Sequence, residues 1–248
     1  MKKTLLCLAL ILFVLSAVFG GGQKEGGKII IATDATWPPM EYVDANKEIV
    51  GFDIDLMNLI AEEGGFEVEF VNTAWDGIFA GLANEQYDAV MSSVTITEER
   101  KATMDFSVPY INAGQVLIVQ QSTSGVTVLS DLKGEAVGAQ IGTTGAMEID
   151  KVAGVETKTY DELGLAIEDL VNGRIAGVVA DTPIAADYVL QNDEYKGKLK
   201  IVGEPFTEEF YGVAVKKGNS KVLDVINAGL KAVLDKGLDE DVKDKWLR

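Results

Sequence analysis

From Lys28 onward, short apolar runs alternate with amphipathic stretches. Residues 29–32 form a continuous apolar run of the kind found in buried strands, whereas residues 53–63 place apolar side chains at the spacing of one helix face. Two glycines, Gly64 and Gly65, are a stop signal for that helix. Alternation of strand-like and helix-like segments predicts βαβ units with largely parallel sheets.

The alternation comes in two series. The first runs to about residue 110, the second runs from there to about residue 206, and a further strand and two amphipathic helices come after Tyr211. We therefore predict an α/β protein with two lobes, the second inserted into the first. The predicted bounds are 28–110 and 212–248 for lobe 1, 114–206 for lobe 2, and 111–113 and 207–211 for two hinge crossings.

The first 27 residues have a different character. Lys2 and Lys3 precede an apolar run over residues 4–19, and small residues begin at Gly20. This pattern predicts a secretory signal peptide over residues 1–20 and a polar leader over residues 21–27, and hence a periplasmic protein. The alternative is a membrane anchor, but the run is shorter than the ~20 residues that span a bilayer.

Composition narrows the chemistry. The chain of 248 residues has no His and one Cys, Cys7, which lies within the predicted signal peptide. Imidazole-based catalysis, an internal disulfide and a Cys-cluster metal site are thereby excluded. The net charge of −17 argues against nucleic acid as a partner, because phosphate binding requires a basic face.

Three segments carry candidate functional residues. The first, residues 34–42, comes directly after the first predicted strand and combines Asp34 with Trp37. Ligands of open α/β sheets bind beyond the carboxyl ends of strands, so an aromatic ring beside a carboxylate is suggestive there. The alternative is a packed turn with Trp37 in the core.

The second segment, residues 92–100, opens a helix with Thr97 as the predicted N-cap. Arg100 lies within one turn of that cap, and its guanidinium suits bidentate recognition of a carboxylate. An alternative is a surface arginine paired with a glutamate. The third segment, residues 140–145, is a strand-to-helix turn, and Asp181 comes after a buried strand. Both features could be plain helix caps.

Taken together and in order, these motifs resemble those of the bacterial extracellular solute-binding proteins of family 3, which deliver polar amino acids to ABC importers. The resemblance covers the chain from about Lys28 to the end. The motifs that carry it are Thr95-Ile96-Thr97-Glu98-Glu99-Arg100, Asp105-Phe106-Ser107, Gln140-Ile141-Gly142-Thr143-Thr144-Gly145, Ala180-Asp181-Thr182-Pro183 and Tyr211-Gly212-Val213-Ala214-Val215.

The resemblance implies the type II periplasmic-binding fold, with a ligand in the cleft between two hinged lobes. It further implies that Arg100 clamps the α-carboxylate of an amino acid and that Asp181 receives its α-ammonium. The other ligand-binding residues that it implies are Asp34, Trp37, Trp75, Ser92, Ser93, Thr95, Gln140, Thr143 and Thr144. No cofactor is expected. The implied partners are a free amino acid and an importer permease, and the protein is expected to be monomeric.

Two tryptophans and one acid direct the choice of ligand. By resemblance, Trp37 and Trp75 sandwich the ligand side chain, while Asp34 and Gln140 line the distal part of the pocket. Aromatic faces attract cations, and Asp34 would pair with a positive end group. Arginine or lysine is therefore the first choice, and glutamine or another polar amino acid is the alternative.

Two other classes of protein are alternatives to an amino-acid-binding protein. Cyclohexadienyl dehydratases share the fold and use no cofactor. Glu41 is the candidate acid for such chemistry, against the simpler interpretation of a solvated or structural glutamate. The third class is a receptor sensor domain, for which the chain shows no second apolar span. A binding protein without enzymatic activity is the prediction.

Overall fold

The computed structural model describes residues 28–248, so the predicted signal peptide and leader lie outside the described residues. The strands are β1 (Ile29–Thr33), β2 (Thr36–Trp37), β3 (Glu41–Val43), β4 (Ile49–Val50), β5 (Val68–Asn72), β6 (Ala89–Val90), β7 (Met104–Phe106), β8 (Ile111–Asn112), β9 (Gln115–Gln120), β10 (Ala136–Gln140), β11 (Glu156–Tyr160), β12 (Gly177–Asp181), β13 (Leu199–Val202), β14 (Phe210–Tyr211) and β15 (Ala214–Lys216).

Helices pack against both sheets, and the last two helices of the chain are separated by a single residue, Gly237. They are α1 (Phe52–Gly64), α2 (Ile78–Ala83), α3 (Glu98–Thr103), α4 (Thr144–Asp150), α5 (Leu163–Val171), α6 (Thr182–Ala186), α7 (Ser220–Lys236) and α8 (Leu238–Trp246). Within residues 28–248, none of the helices is both long and apolar enough to cross a membrane.

Two five-stranded sheets form the two lobes. The strand order is β5-β1-β6-β15-β7 in the first sheet and β11-β10-β12-β9-β13 in the second. In each sheet the first three strands are parallel and the last two pairings are antiparallel. The prediction of largely parallel sheets is therefore only half right. Strands β9 and β15 are reached directly from the crossings between the lobes, without the crossover helix that a parallel neighbour requires.

Two regions have elements too short to show a clear hydrophobic period in the sequence. Residues 36–50 form a small antiparallel sheet, β2-β3-β4. Helix α6 is continued by a π-helical turn, Asp187–Gln191.

The chain passes between the sheets twice, and the two passages pair with each other. Strands β8 and β14 are antiparallel, with Ile111 opposite Tyr211. On either side of this ladder the Tyr110 amide donates to the Tyr211 carbonyl (3.0 Å), and the Ala113 amide donates to the Glu209 carbonyl (2.7 Å). The lobes are thus joined by two adjacent, hydrogen-bonded segments.

Lobe 1 is closed on one side by the packing of α1 against α7. Gly229 lies at their closest approach, where an added Cβ would lie only 2.1 Å from the Ile60 carbonyl oxygen. Apolar side chains from both helices join the main core, among them Leu56, Ile60 and Leu230. Helix α2 packs in a separate apolar cluster, where Ile78 and Leu82 contact residues of the same sheet such as Val90.

Candidate functional site

A cavity with an empty volume of about 320 Å³ lies between the lobes. All of the predicted site residues line it, with one addition, Glu41. The lining residues are Asp34, Trp37, Glu41, Trp75, Ser92, Ser93, Thr95, Arg100, Gln140, Thr143, Thr144 and Asp181.

Strand ends bring these side chains together. In the first sheet Asp34 stands just after β1 and Ser92 shortly after β6, and these two strands are parallel neighbours. In the second sheet Gln140 ends β10 and Asp181 ends β12, which are again parallel neighbours. Because carboxyl ends of parallel strands meet at one edge of a sheet, the two edges face each other across the cavity.

Among the described residues that line the cavity, Arg100 is the only cation. It lies in the first turn of α3, whose N-cap Thr97 accepts a hydrogen bond from the Arg100 amide. Its guanidinium donates to the Thr95 carbonyl (2.9 Å) and, across the cleft, to the Gly142 carbonyl (3.2 Å). Burial lowers the pKa of Arg100, and the charges of Asp181 and Glu209 oppose that effect. Arginine titrates at such high pH that this group stays a cation.

Asp181 faces the cavity from lobe 2. Its Oδ1 accepts a hydrogen bond from Gln115 Nε2 (3.0 Å). Burial, and after it the charge of Glu209, raises the pKa of Asp181 to about 7. No cation is hydrogen-bonded to this carboxylate among the described residues, so a positively charged ligand group would stabilise its ionised form.

The opposite end of the cavity contains the pair of Asp34 and Gln140. Gln140 Nε2 donates across the cleft to Asp34 Oδ2 (2.9 Å) and also to the Asp161 carbonyl (2.8 Å). Thr36 donates to the second oxygen of Asp34. Burial raises the pKa of Asp34. Both amide protons of Gln140 are engaged, so the oxygen of its side chain remains as an acceptor at this end.

Glu41, for which the sequence offers only the roles of a catalytic acid or of a solvated or structural glutamate, is fully buried. The hydroxyl of Ser92 donates to Glu41 Oε1 (2.8 Å). The signal that sequence reasoning lacks is the β2–β3 hairpin, which sets Glu41 opposite Trp37 and turns it into the cavity wall.

Behind Glu41 lies a second buried acid, Asp53, at the start of α1. Its Oδ2 accepts from the Ser93 amide (2.8 Å) and from the Tyr110 hydroxyl (2.9 Å). Burial raises the pKa of Asp53 to about 7, and burial together with the Asp53 charge raises the pKa of Glu41 well above its usual range. Burial and mutual repulsion therefore oppose the ionisation of both acids at once.

Both predicted tryptophans are buried in the cavity wall. Trp75 lies over the guanidinium of Arg100, with 5.5 Å from Cζ to the ring centroid, and makes an edge contact with Phe79 at 5.0 Å. Phe79 lies on the guanidinium as well, at 5.2 Å. Trp75 thus supports Arg100 in addition to any contact with a ligand.

The hydroxyls of Thr95 and Thr144 meet at a residue outside the predicted set, Glu209. Both donate to Glu209 Oε2, at 2.9 Å and 2.7 Å. Thr143 is occupied differently, since its hydroxyl donates to the Gln140 carbonyl (2.7 Å) and caps α4. Glu209 is remote in sequence from both threonines, and no local motif marks it.

No group of three or more acidic or thiol side chains that could hold a metal occurs within residues 28–248. The arrangement is instead that of a closed cleft with one buried cation, several buried acids and two aromatic walls. Such a lining is suited to enclosing a small molecule that carries charges of both signs.

Comparison with known proteins identifies the class. The profile of the bacterial extracellular solute-binding proteins, family 3, matches residues 29–248, and the chain belongs to this family. It is 36% identical to a probable histidine-binding protein of Neisseria gonorrhoeae, over 99% of this chain and 96% of that protein. It is 35% identical to ABC transporter arginine-binding protein 1 of Escherichia coli (strain K12), over 96% of this chain and 98% of that protein.

Solved structures agree with the fold. An ancestral arginine-binding protein bound to arginine superposes with a TM-score of 0.85 at 42% identity, covering 90% of this chain and 99% of that one. An ancestral arginine-binding protein bound to glutamine superposes with a TM-score of 0.84 at 42% identity, covering 89% of this chain and 97% of that one. The type II periplasmic-binding fold is therefore confirmed.

The comparisons also decide between enzyme and binding protein. These relatives are binding proteins by name, and the family is one of extracellular solute-binding proteins. The prediction of a non-enzymatic solute-binding protein is confirmed, and the dehydratase alternative is not favoured. The raised pKa of Glu41 is accounted for by its burial beside Asp53.

Proposed function

We propose that this protein binds a free L-amino acid, arginine first and lysine second, and delivers it to the permease of an ABC importer. The observation that carries the proposal is the pair of opposite charges on the two sides of one cavity, Arg100 from lobe 1 and Asp181 from lobe 2. A zwitterion removed from water requires a partner for each charge. Arg100 would receive the α-carboxylate and Asp181 the α-ammonium.

The distal end of the cavity supports a cationic side chain. Asp34, Glu41 and the remaining acceptor of Gln140 contribute oxygen atoms, and within residues 28–248 no cationic side chain lines this end. A guanidinium consists only of donors and is more weakly hydrated than an ammonium. Trp37 and Trp75 would add aromatic contact to the ligand. Glutamine is the alternative ligand, because a similar ancestral protein was solved with arginine and with glutamine.

Binding is coupled to closure in this proposal. The lobes are taken as 28–110 with 212–248 and 114–206, and the hinge as 111–113 with 207–211. Because Arg100 and Asp181 belong to different lobes, only the closed form pairs both ends of the ligand, which makes the ligand stabilise closure. Residues 1–20 would act as a cleaved signal peptide that exports a monomeric protein to the periplasm.

A thermal-shift panel of the common amino acids on refolded, ligand-free protein tests the proposal. At a ligand concentration of about 100 times Kd, binding stabilises the folded state by about 2.7 kcal/mol, which is readily measured. We expect the largest shift with arginine, a smaller one with lysine, and binding of glutamine weaker by about tenfold or more in calorimetry. Equal displacement of arginine by glutamine would contradict the cationic assignment and leave the head-group assignment intact.

A further inference from the structure

Glu209 lies on the second passage between the lobes and is buried there. Its Oε1 accepts from the Thr207 hydroxyl (2.9 Å), and its Oε2 accepts from Thr95 in lobe 1 and Thr144 in lobe 2. It does not line the cavity. It reaches the two threonines from a groove on the other side, so their hydroxyls form a thin wall between that groove and the cavity.

The hydroxyls of Thr95 and Thr144 have no proton left to donate to a ligand. A threonine hydroxyl has one proton, and Glu209 Oε2 receives the proton of Thr95 and the proton of Thr144. Gln115 Nε2 donates to the oxygen of Thr144 (3.1 Å), so that hydroxyl acts as acceptor on one side and donor to Glu209 on the other. In this arrangement both hydroxyls can offer the cavity only lone pairs, which a carboxylate cannot use.

We infer that Glu209 is an internal competitor of the ligand's α-carboxylate. This inference rests on the proposed function, in which the head group of an amino acid lies beside Arg100. To receive hydrogen bonds from Thr95 or Thr144, the ligand must take at least one proton away from Glu209. Hydrogen bonds to charged groups are the stronger ones, so this exchange reduces the affinity. Glu209 thereby sets how tightly any amino acid is held, whatever its side chain.

Two substitutions separate contact from charge. Glu209→Gln keeps the shape and supplies an amide that can donate to the threonine oxygens. Glu209→Asp keeps the charge and withdraws it from the hydroxyls by about 1.5 Å, the length of one carbon–carbon bond. Glu208→Gln is the matched control, because Glu208 is exposed next to Glu209 and, within residues 28–248, its side chain accepts a hydrogen bond from Asn112 alone, at 3.4 Å. Circular dichroism and thermal melts establish that each variant is folded.

Calorimetry with L-arginine and L-glutamine on refolded protein gives the readout. We expect both Glu209 variants to bind each amino acid more tightly by the same factor, roughly tenfold, while Glu208→Gln leaves Kd unchanged. Tighter binding by Glu209→Gln alone would mean a through-space charge effect and overturn the inference. Unchanged or weaker binding by both variants would mean that Glu209 positions the threonines for the ligand, and would also overturn it. If the wild-type protein binds no amino acid, the proposed function itself fails.

Discussion

The two lobes share one strand arrangement and supply different chemistry from it. In each sheet three neighbouring strands are parallel, and two further strands are added through antiparallel pairings. No repeat is visible in the sequence. The common arrangement therefore reflects packing rules rather than shared residues, and each lobe is free to place different side chains at equivalent strand ends.

The lobes differ in the segments that connect each strand to the next element. In lobe 2 the helices begin almost at once, since α4 starts at Thr144 and α6 at Thr182. In lobe 1 the sheet β2-β3-β4 intervenes after β1 and brings Trp37 and Glu41 to the cavity. Lobe 1 thus contributes the aromatic walls, the distal acids, the cation and three hydroxyl side chains, and lobe 2 contributes two threonine hydroxyls, Gln140 and Asp181. In the proposed pairing, lobe 1 holds the α-carboxylate through Arg100 and lobe 2 holds the α-ammonium through Asp181.

The largest expected effect comes from removing the charged residue of either lobe. Arg100→Ala and Asp181→Ala should each weaken amino-acid binding by about 2–5 kcal/mol, because each leaves one ligand charge unpaired in a closed cavity. Calorimetry measures the loss. Lys101→Ala is the control for Arg100, since Lys101 is an exposed neighbour paired with Glu98. Near-normal affinity in either variant would remove that residue from the site.

Each lobe also holds one buried aspartate whose pKa is raised to about 7, but only Asp181 of lobe 2 lines the cavity. A ligand ammonium requires Asp181 to be ionised, so affinity should fall as the pH is lowered through about 7. The decrease should approach tenfold per pH unit well below that value. Calorimetry in buffers of different ionisation enthalpy should detect a proton released on binding.

Two variants test whether the pH dependence of affinity comes from Asp181 and not from Asp53. Asp181→Asn should bind weakly and lose the pH dependence, since its amide does not titrate. Asp53→Asn, in lobe 1, should retain most of the pH dependence of affinity, because Asp53 lies behind the cavity wall and is hydrogen-bonded to Ser93 and Tyr110. An affinity that is flat between about pH 5.5 and 7.5 in the wild type would contradict the role of Asp181.

A smaller effect is expected at the distal end. Asp34→Asn should weaken the binding of arginine by about tenfold and that of glutamine by a few-fold at most. The reason is that, of these two ligands, only arginine places a full charge beside Asp34. Trp75→Leu should weaken both ligands by similar factors, since Trp75 also supports Arg100. Competition titrations of the two amino acids measure both ratios. An equal loss of arginine and glutamine in Asp34→Asn would place the cationic group elsewhere.

Sequence patterns identify the two-lobed α/β fold because long strands and helices carry their own hydrophobic period. They also identify residues that converge on the cavity, since Asp34, Ser92, Gln140 and Asp181 all stand at or just beyond strand ends, where sheet geometry collects them. The family motifs then single out Arg100, which lies in a helix and not at a strand end.

Residues whose position depends on distant pairing could not be found in this way. Glu41 enters the cavity wall through a hairpin of two- and three-residue strands, too short for a period to be detected. Glu209 meets Thr95 across 114 positions of sequence. The antiparallel strands β9 and β15 likewise depend on where the chain crosses between lobes, which a local pattern does not encode.

The smallest expected effect concerns stability and again compares the two lobes. Glu41 and Asp53 in lobe 1 and Asp181 in lobe 2 have pKa values raised by burial, so the folded protein holds more protons than the unfolded chain between about pH 4 and 7. Stability should therefore fall as the pH rises through that window. Thermal unfolding of ligand-free protein should have a midpoint a few degrees higher at about pH 5.5 than at about pH 7.5.

Asp53→Asn resembles the protonated state and should flatten this pH dependence of the midpoint in part, and the double variant Asp53→Asn with Asp181→Asn should flatten it further. A midpoint that rises with pH in the wild type would mean that these acids are ionised in the folded protein. Added arginine should reduce the fall of the midpoint with rising pH, because its ammonium stabilises only the ionised form of Asp181. The same effect of arginine should be seen in Asp53→Asn.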